Sequence, residues 1–192
     1  MVSDPLIVVV ALADAFDALG IPYLVGGSLA SSLYGIPRAT LDADLMADVR
    51  PHHVEPLTRA LERDFYVASE LISDAIRDRS SFNVIHLATM FKADVFLPRN
   101  DVWSHEEMIR ARTESIPVAG TSKTIRFSSA EDTILHKLLW YRLGGETSDK
   151  QWGDILGILK IQGSFLDWTY LEKHSSVLNV TDLLARARKL SV

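Results

Sequence analysis

The sequence has no cysteine. That one absence excludes disulfides, zinc–thiolate centres and thiol nucleophiles, and it fits a reducing, cytoplasmic setting. No apolar run approaches the ~18 residues of a membrane span; the stretch Leu6–Leu12 is far shorter. Asp4 precedes that stretch and no basic segment leads into it, which argues against a secretory leader. Neither Gly-x-x-x-x-Gly-Lys-Ser/Thr nor Gly-x-Gly-x-x-Gly occurs, so the P-loop and the dinucleotide fingerprint are excluded. Gly26-Gly27-Ser28-Leu29-Ala30 lacks the last glycine of a nucleophile elbow. The six histidines include no pair at metal-binding helical spacing with a partnering Glu.

What remains is an ordinary globular composition: 192 residues, 47% apolar and 23% charged, with a formal net charge of −5. The excess acid lies entirely within residues 1–100, and the remainder is balanced. An acidic half disfavours sequence-blind contact with nucleic acid, which needs a basic stripe along the phosphates. It suits a site that collects divalent cations. Membrane partners are not expected.

Hydrophobic periodicity and breakers predict helices at 5–19, 29–34, 51–64, 73–79 and 104–112. Ser28 is expected to cap the second, and Ser104 with Glu107 to form a capping box on the last. Strands are expected at Ile21–Val25, Leu41–Val49, Phe65–Ala68, Ser81–Leu87, Phe91–Leu97, Ile116–Ala119 and Thr124–Phe127. From about Ala130 the pattern is helical throughout. The expected fold is α/β (α+β): a mixed β-sheet core backed by helices over 1–128, then a helical C-terminal subdomain over 129–192.

The chemistry concentrates between residues 25 and 45. Gly26 and Gly27 stand between a strand and a helix, where the backbone can turn sharply and bring N–H groups to a ligand. The helix that follows, beginning near Ser28, points its positive end at the same place and favours phosphate oxygens. Asp42 and Asp44, two apart on a strand, share one face. Carboxylates so placed repel unless a cation bridges them, and Mg²⁺ takes such ligands together with substrate phosphates. Asp94, alone in the apolar strand Phe91–Leu97, is costly unless paired or metal-bound. If its strand adjoins the first, three carboxylates converge on a site able to hold two metals about 3.5–4 Å apart.

These residues carry a resemblance. Gly26-Gly27-Ser28, thirteen further residues, Asp42-Ala43-Asp44 and then Asp94 resemble the signature of the DNA polymerase β-like nucleotidyltransferase superfamily. The similarity runs from Tyr23 to Leu97 and is greatest to the small prokaryotic members, the minimal nucleotidyltransferases and the AbiEii-type toxins. Arg38-Ala39-Thr40, Lys92, Glu131-Asp132…Lys137 and Lys150…Asp154 match that group more weakly. Gln151-Trp152-Gly153-Asp154 departs from the more basic run usual in the toxins.

The resemblance implies a nucleotidyltransferase core, an NTP substrate, Mg²⁺ as cofactor, and transfer of a nucleoside monophosphate with release of pyrophosphate. Asp42, Asp44 and Asp94 would be the catalytic, metal-binding acids. Gly26, Gly27, Ser28, Arg38 and Lys137 would bind the nucleotide. A tRNA end, a protein side chain or a small molecule would each serve as acceptor. A non-catalytic module of the same fold, such as an antitoxin-type partner in a toxin–antitoxin pair, is the alternative.

Plainer readings stand beside several of these. Lys92 reads as a strand-edge lysine, Lys137 as a side chain snorkelling from an apolar helix face, and Lys150 with Asp154 as a solvated face. Asn179-Val180-Thr181 reads as a helix start rather than a glycosylation site.

Overall fold

The computed structural model describes residues 4–118 and 121–191. Ala119, the end of one expected strand, lies outside the described residues. In chain order the first elements are α1 (Asp4–Ala18), β1 (Tyr23–Val25), α2 (Gly27–Tyr34), β2 (Asp42–Ala47), α3 (Val54–Leu61) and β3 (Phe65–Tyr66). Next come α4 (Ser69–Asp78), β4 (Ser81–His86), β5 (Lys92–Phe96), α5 (Val102–Arg110), β6 (Arg112–Val118) and β7 (Thr121–Phe127). Four helices follow: α6 (Ala130–Leu143), α7 (Asp149–Gln162), α8 (Trp168–Val177) and α9 (Thr181–Leu190). Among the described residues no helix is long and apolar enough to cross a membrane.

The chain forms two compact units. One comprises Met1–Gly26 and Thr40–Phe127; the other comprises Gly27–Ala39 and Ser128–Val192. The second unit thus takes in α2, which lies far ahead of the helical tail in sequence.

The first unit holds the whole seven-stranded sheet, in the order β3-β4-β5-β2-β1-β7-β6. It is mixed: β2 with β5 and β1 with β7 run parallel, and the remaining pairs are antiparallel. Helix α1 carries Pro5 in its first turn, where a missing N–H costs nothing. Its Val8, Val9, Leu12 and Phe16 are fully buried, and the helix packs on β1, β2 and β7. Each such side chain stabilises by roughly 1.5–3 kcal/mol. Alternation sets the faces of the central strands. Ala43, Leu45, Ala93 and Val95 are buried, while Asp42, Asp44, Lys92 and Asp94 are half-buried on the opposite face.

Several local expectations change. Helix α5 starts before Ser104, and its cap is Asp101, whose Oδ1 accepts from the Ser104 N–H at 2.7 Å. Ser28 does not cap α2, because the helix already begins at Gly27, which sits at φ +55°. That left-handed backbone is one glycine adopts without Cβ strain. The expected helix at 51–64 is a 3₁₀ turn, Pro51–His53, running into α3. Strands β6 and β7 are longer than their apolar patterns suggest. Only the Val25–Phe127 pair joins β7 to β1, and β7 buries Ile125 and Phe127 at that end, while beyond it the hairpin pairs with itself and carries polar residues.

In the second unit α6 packs on α7 and α8, α9 packs on α7 and α8, and α2 packs on α6 and α7. Ile134, Leu135, Leu138, Ile155, Ile158 and Leu171 form its dry core. Ser129, Ser148 and Asp167 cap α6, α7 and α8 through their side chains. Gly35 brings the end of α2 against α7: a Cβ there would stand 2.9 Å from the Ile158 backbone nitrogen.

Candidate active site

Register builds the acidic face of the first unit. Asp44 lies directly beside Asp94 in the parallel β2–β5 pair, and Asp42 lies beside Lys92. On the other side of β5, Asn83 is the partner of Asp94. Directly paired residues project from the same face, so three carboxylates, one lysine and one amide share one surface. Thr40 Oγ1 donates to Asp42 Oδ1 at 3.0 Å. The Gly26 N–H donates to the Asp44 carbonyl at 2.8 Å, which carries the β1–β2 ladder to the strand's end. A Cβ at Gly26 would meet nothing nearer than 3.9 Å, so close approach of the backbone to a neighbour does not require that glycine.

Lys92 is not a strand-edge residue, because β5 is flanked by β4 and β2. Its Nζ stands 2.6 Å from Asp94 Oδ2. The hydrogen bond to Asp94, with further attraction from Asp42 and Asp44, outweighs slight desolvation and holds the ammonium above the usual lysine range. In kind, the donors on this face suit a hard divalent cation. Among the described residues, however, no three His, Cys, Asp or Glu side chains lie close enough together to enclose one ion. Lys92 is the cation that engages Asp94.

The second unit contains a different cluster, centred on Asp154 of α7. Arg38 donates to it through both Nε and Nη2, each at 2.7 Å, and Lys137 Nζ lies 2.9 Å from Oδ2. Arg38 Nη2 also donates to Ser28 Oγ at 2.7 Å. The Arg38 backbone N–H donates to Ser32 Oγ at 3.3 Å, which fixes the loop after α2. Burial pushes the Asp154 carboxyl up, yet the hydrogen bonds and charges of Arg38 and Lys137 outweigh it and leave the group below the usual carboxylate range. Lys137 does not snorkel: its side chain is only 6% exposed.

Of the sequence-predicted residues, Ser28, Arg38 and Lys137 meet in this cluster, and Asp42, Asp44 and Asp94 share the sheet face. Asp154 is the residue that sequence reasoning set aside. The solvated-face reading holds for exposed Lys150 but not for Asp154, which is buried. A signal was present: Asp154 is followed by Ile155, and Ile158 stands one turn on, so the acid lies on an apolar stripe. Glu131 and Asp132 hold structure together. Glu131 accepts from the Asp167 N–H at 2.9 Å, and Asp132 accepts from Ser129 Oγ and Tyr170 Oη, each at 2.6 Å.

No family model matches the chain, and no curated protein does either. Solved structures do. An antigenic nucleotidyltransferase-like protein from Paracoccidioides brasiliensis is 20% identical, with a TM-score of 0.56, covering 97% of this chain and 93% of that one. ANT(2")-Ia in complex with adenylyl-2"-tobramycin is 16% identical, with a TM-score of 0.59, covering 92% of this chain and 98% of that one. A solution structure of the antibiotic-resistance factor ANT(2'')-Ia gives a TM-score of 0.51 at 15% identity, covering 98% and 96%. The chain has the mixed α/β nucleotidyltransferase fold.

Proposed function

We propose that the protein is a nucleotidyltransferase that moves a nucleoside monophosphate from an NTP to a hydroxyl acceptor and releases pyrophosphate. The observation that carries this reading is the β2–β5 register, which sets Asp44 beside Asp94 with Asp42 on the same face. In this reaction the acceptor oxygen bonds to the α-phosphorus, the bond to the pyrophosphate oxygen breaks, and the hydroxyl proton needs a base. Asp94 is the base we assign, its carboxylate held in place by Lys92. Asp42, Asp44 and Asp94 are the residues we assign to Mg²⁺, although in this structure Asp94 engages Lys92 and the three carboxylates do not enclose one point. When bound, the ion supplies positive charge to the phosphate oxygens as negative charge builds there.

The second unit carries a cationic cluster of its own. Arg38 and Lys137 both engage the Asp154 carboxylate. Asp154 fixes the guanidinium plane bidentately, so its donors are ordered before a phosphate arrives. Ser28 holds the same guanidinium from a second direction. We assign Gly27, Ser28, Arg38 and Lys137 to the triphosphate.

The test is incubation with α-³²P-labelled NTPs and Mg²⁺ against three acceptor pools: an aminoglycoside, total RNA and cell protein. Label transferred to one pool, with pyrophosphate formed in equal amount, is the expected result. Absence of transfer to all three, with the protein folded and the Asp44→Asn variant indistinguishable from wild type, would contradict the reading.

A further inference from the structure

We propose that a cavity in the second unit, between α7, the loop after α2 and the end of α9, binds a small organic anion with a compact apolar body, such as an aryl or branched-chain carboxylate. The proposal does not rest on the transfer reaction. The cavity has a volume of about 230 Å³, and every residue that lines it belongs to that one unit. Gly153, Leu156, Gly157 and Lys160 stand at i, i+3, i+4 and i+7, so one face of α7 forms the floor. Ile36 and Leu190 complete the apolar lining, and these two large aliphatic side chains are 63% and 59% exposed.

The two glycines of the floor differ in what the fold asks of them. At Gly157 a Cβ would stand 3.3 Å from the Ile36 backbone nitrogen, so the loop after α2 needs the room. At Gly153 a Cβ would meet nothing within 4 Å. Gly153 lies inside a regular helix and its φ is not positive. A glycine there weakens the helix relative to alanine, and among the described residues neither a close neighbour nor the backbone requires it. What Gly153 preserves is the open floor of the cavity.

Size and charge then select the ligand. Pockets for drug-sized molecules run to roughly 300–1,000 Å³, so this one takes a body of about one ring. Its aliphatic lining favours an apolar body, which gains by leaving water. No carboxylate lines the cavity, and the charged group at its margin is the exposed Lys160 ammonium. Leu190 stands at the end of α9, where the negative pole of the helix would repel an anion. Arg188 and Lys189 in the same last turn offset that pole.

The experiment titrates the isotope-labelled full chain with benzoate, benzyl alcohol, benzylammonium and acetate, and follows the backbone amides by NMR. Benzoate is expected to shift the Gly153 and Gly157 signals saturably. Benzyl alcohol should bind about two- to fivefold more weakly, the scale of one exposed ion pair. Benzylammonium should bind more weakly again, and acetate should leave the signals in place. Gly153→Leu puts a side chain where a Cβ meets no neighbour; it should abolish the benzoate shifts while melting at or above the wild-type temperature. Lys160→Met should bind benzoate and benzyl alcohol alike, which decides the charge independently. No shifts with any probe, benzylammonium binding as tightly as benzoate, or benzoate binding that survives Gly153→Leu would each overturn the proposal. A dimer in sedimentation that Gly153→Leu breaks would give the cavity to a second copy of the chain and overturn it too.

Discussion

The two units solve opposite electrostatic problems. On the sheet face of the first, three carboxylates share one surface with Lys92, and the Asp94–Lys92 pair is 22% and 44% exposed. In the second, Arg38 and Lys137 both engage Asp154, and the Lys137–Asp154 pair is 6% and 5% exposed. Half-exposed like charges cost folding energy and are retained where a ligand relieves them. A buried, mutually satisfied cluster is rigid without a ligand but fails badly if one member is lost. Substitutions in the two places therefore ought to differ in sign.

The largest contrast is expected from Asp44→Asn. Transfer should fall on the order of 10²–10³-fold or more, the scale of losing a group that stabilises charge in the transition state. Melting temperature without metal should stay level or rise slightly, because one of three neighbouring negative charges is gone. A clear fall in metal-free stability would make Asp44 a structural residue.

Next in size is Asp154→Asn, expected to destabilise the metal-free protein by about 3 kcal/mol, since it removes the buried negative charge that Lys137 and Arg38 both engage. Urea unfolding measures it, and a loss within error of zero would show that the cluster is not the anchor described.

A pH series sharpens the same point. The Asp154 carboxyl lies below its usual range in the folded protein. Its stabilising effect is therefore fully present above the unfolded-state value of roughly 4 and is lost as pH falls through the lower folded value. The stability gap between wild type and Asp154→Asn should be constant from neutral pH down to about 4 and then close. A gap that closes above pH 6 would contradict the assignment.

The smallest effect is expected from Ser28→Ala. It removes one acceptor from Arg38 but leaves both bonds to Asp154, so nucleotide affinity should weaken by about 1 kcal/mol with little change in fold.

What the sequence made legible follows the range of the interactions. Asp42 and Asp44 were readable because strand alternation is local, and the helices of the tail were readable because their caps and apolar stripes are local. The pairing of β2 with β5 was only a condition in the sequence reading, since it joins strands far apart in the chain and nothing local sets that register. The contact of Lys92 with Asp94 was missed for the same reason: an internal strand and an edge strand look alike until their neighbours are known. Asp154 meets Arg38 across a separation of 116 residues, so its four-residue spacing from Lys150 was a misleading local clue. Ser28 was placed as a cap because serine is a preferred helix N-cap residue, whereas the helix already begins at Gly27, whose φ is positive.

The central claim is that the acidic face binds a triphosphate only through a divalent cation. Titrating ATP into the protein by calorimetry, once with Mg²⁺ and once with EDTA, tests it most directly. Strong binding with Mg²⁺ that collapses in EDTA, and that Asp44→Asn also abolishes, is the result expected from like charges that a cation must bridge. Equal affinity in Mg²⁺ and EDTA would mean that the carboxylates serve some other purpose.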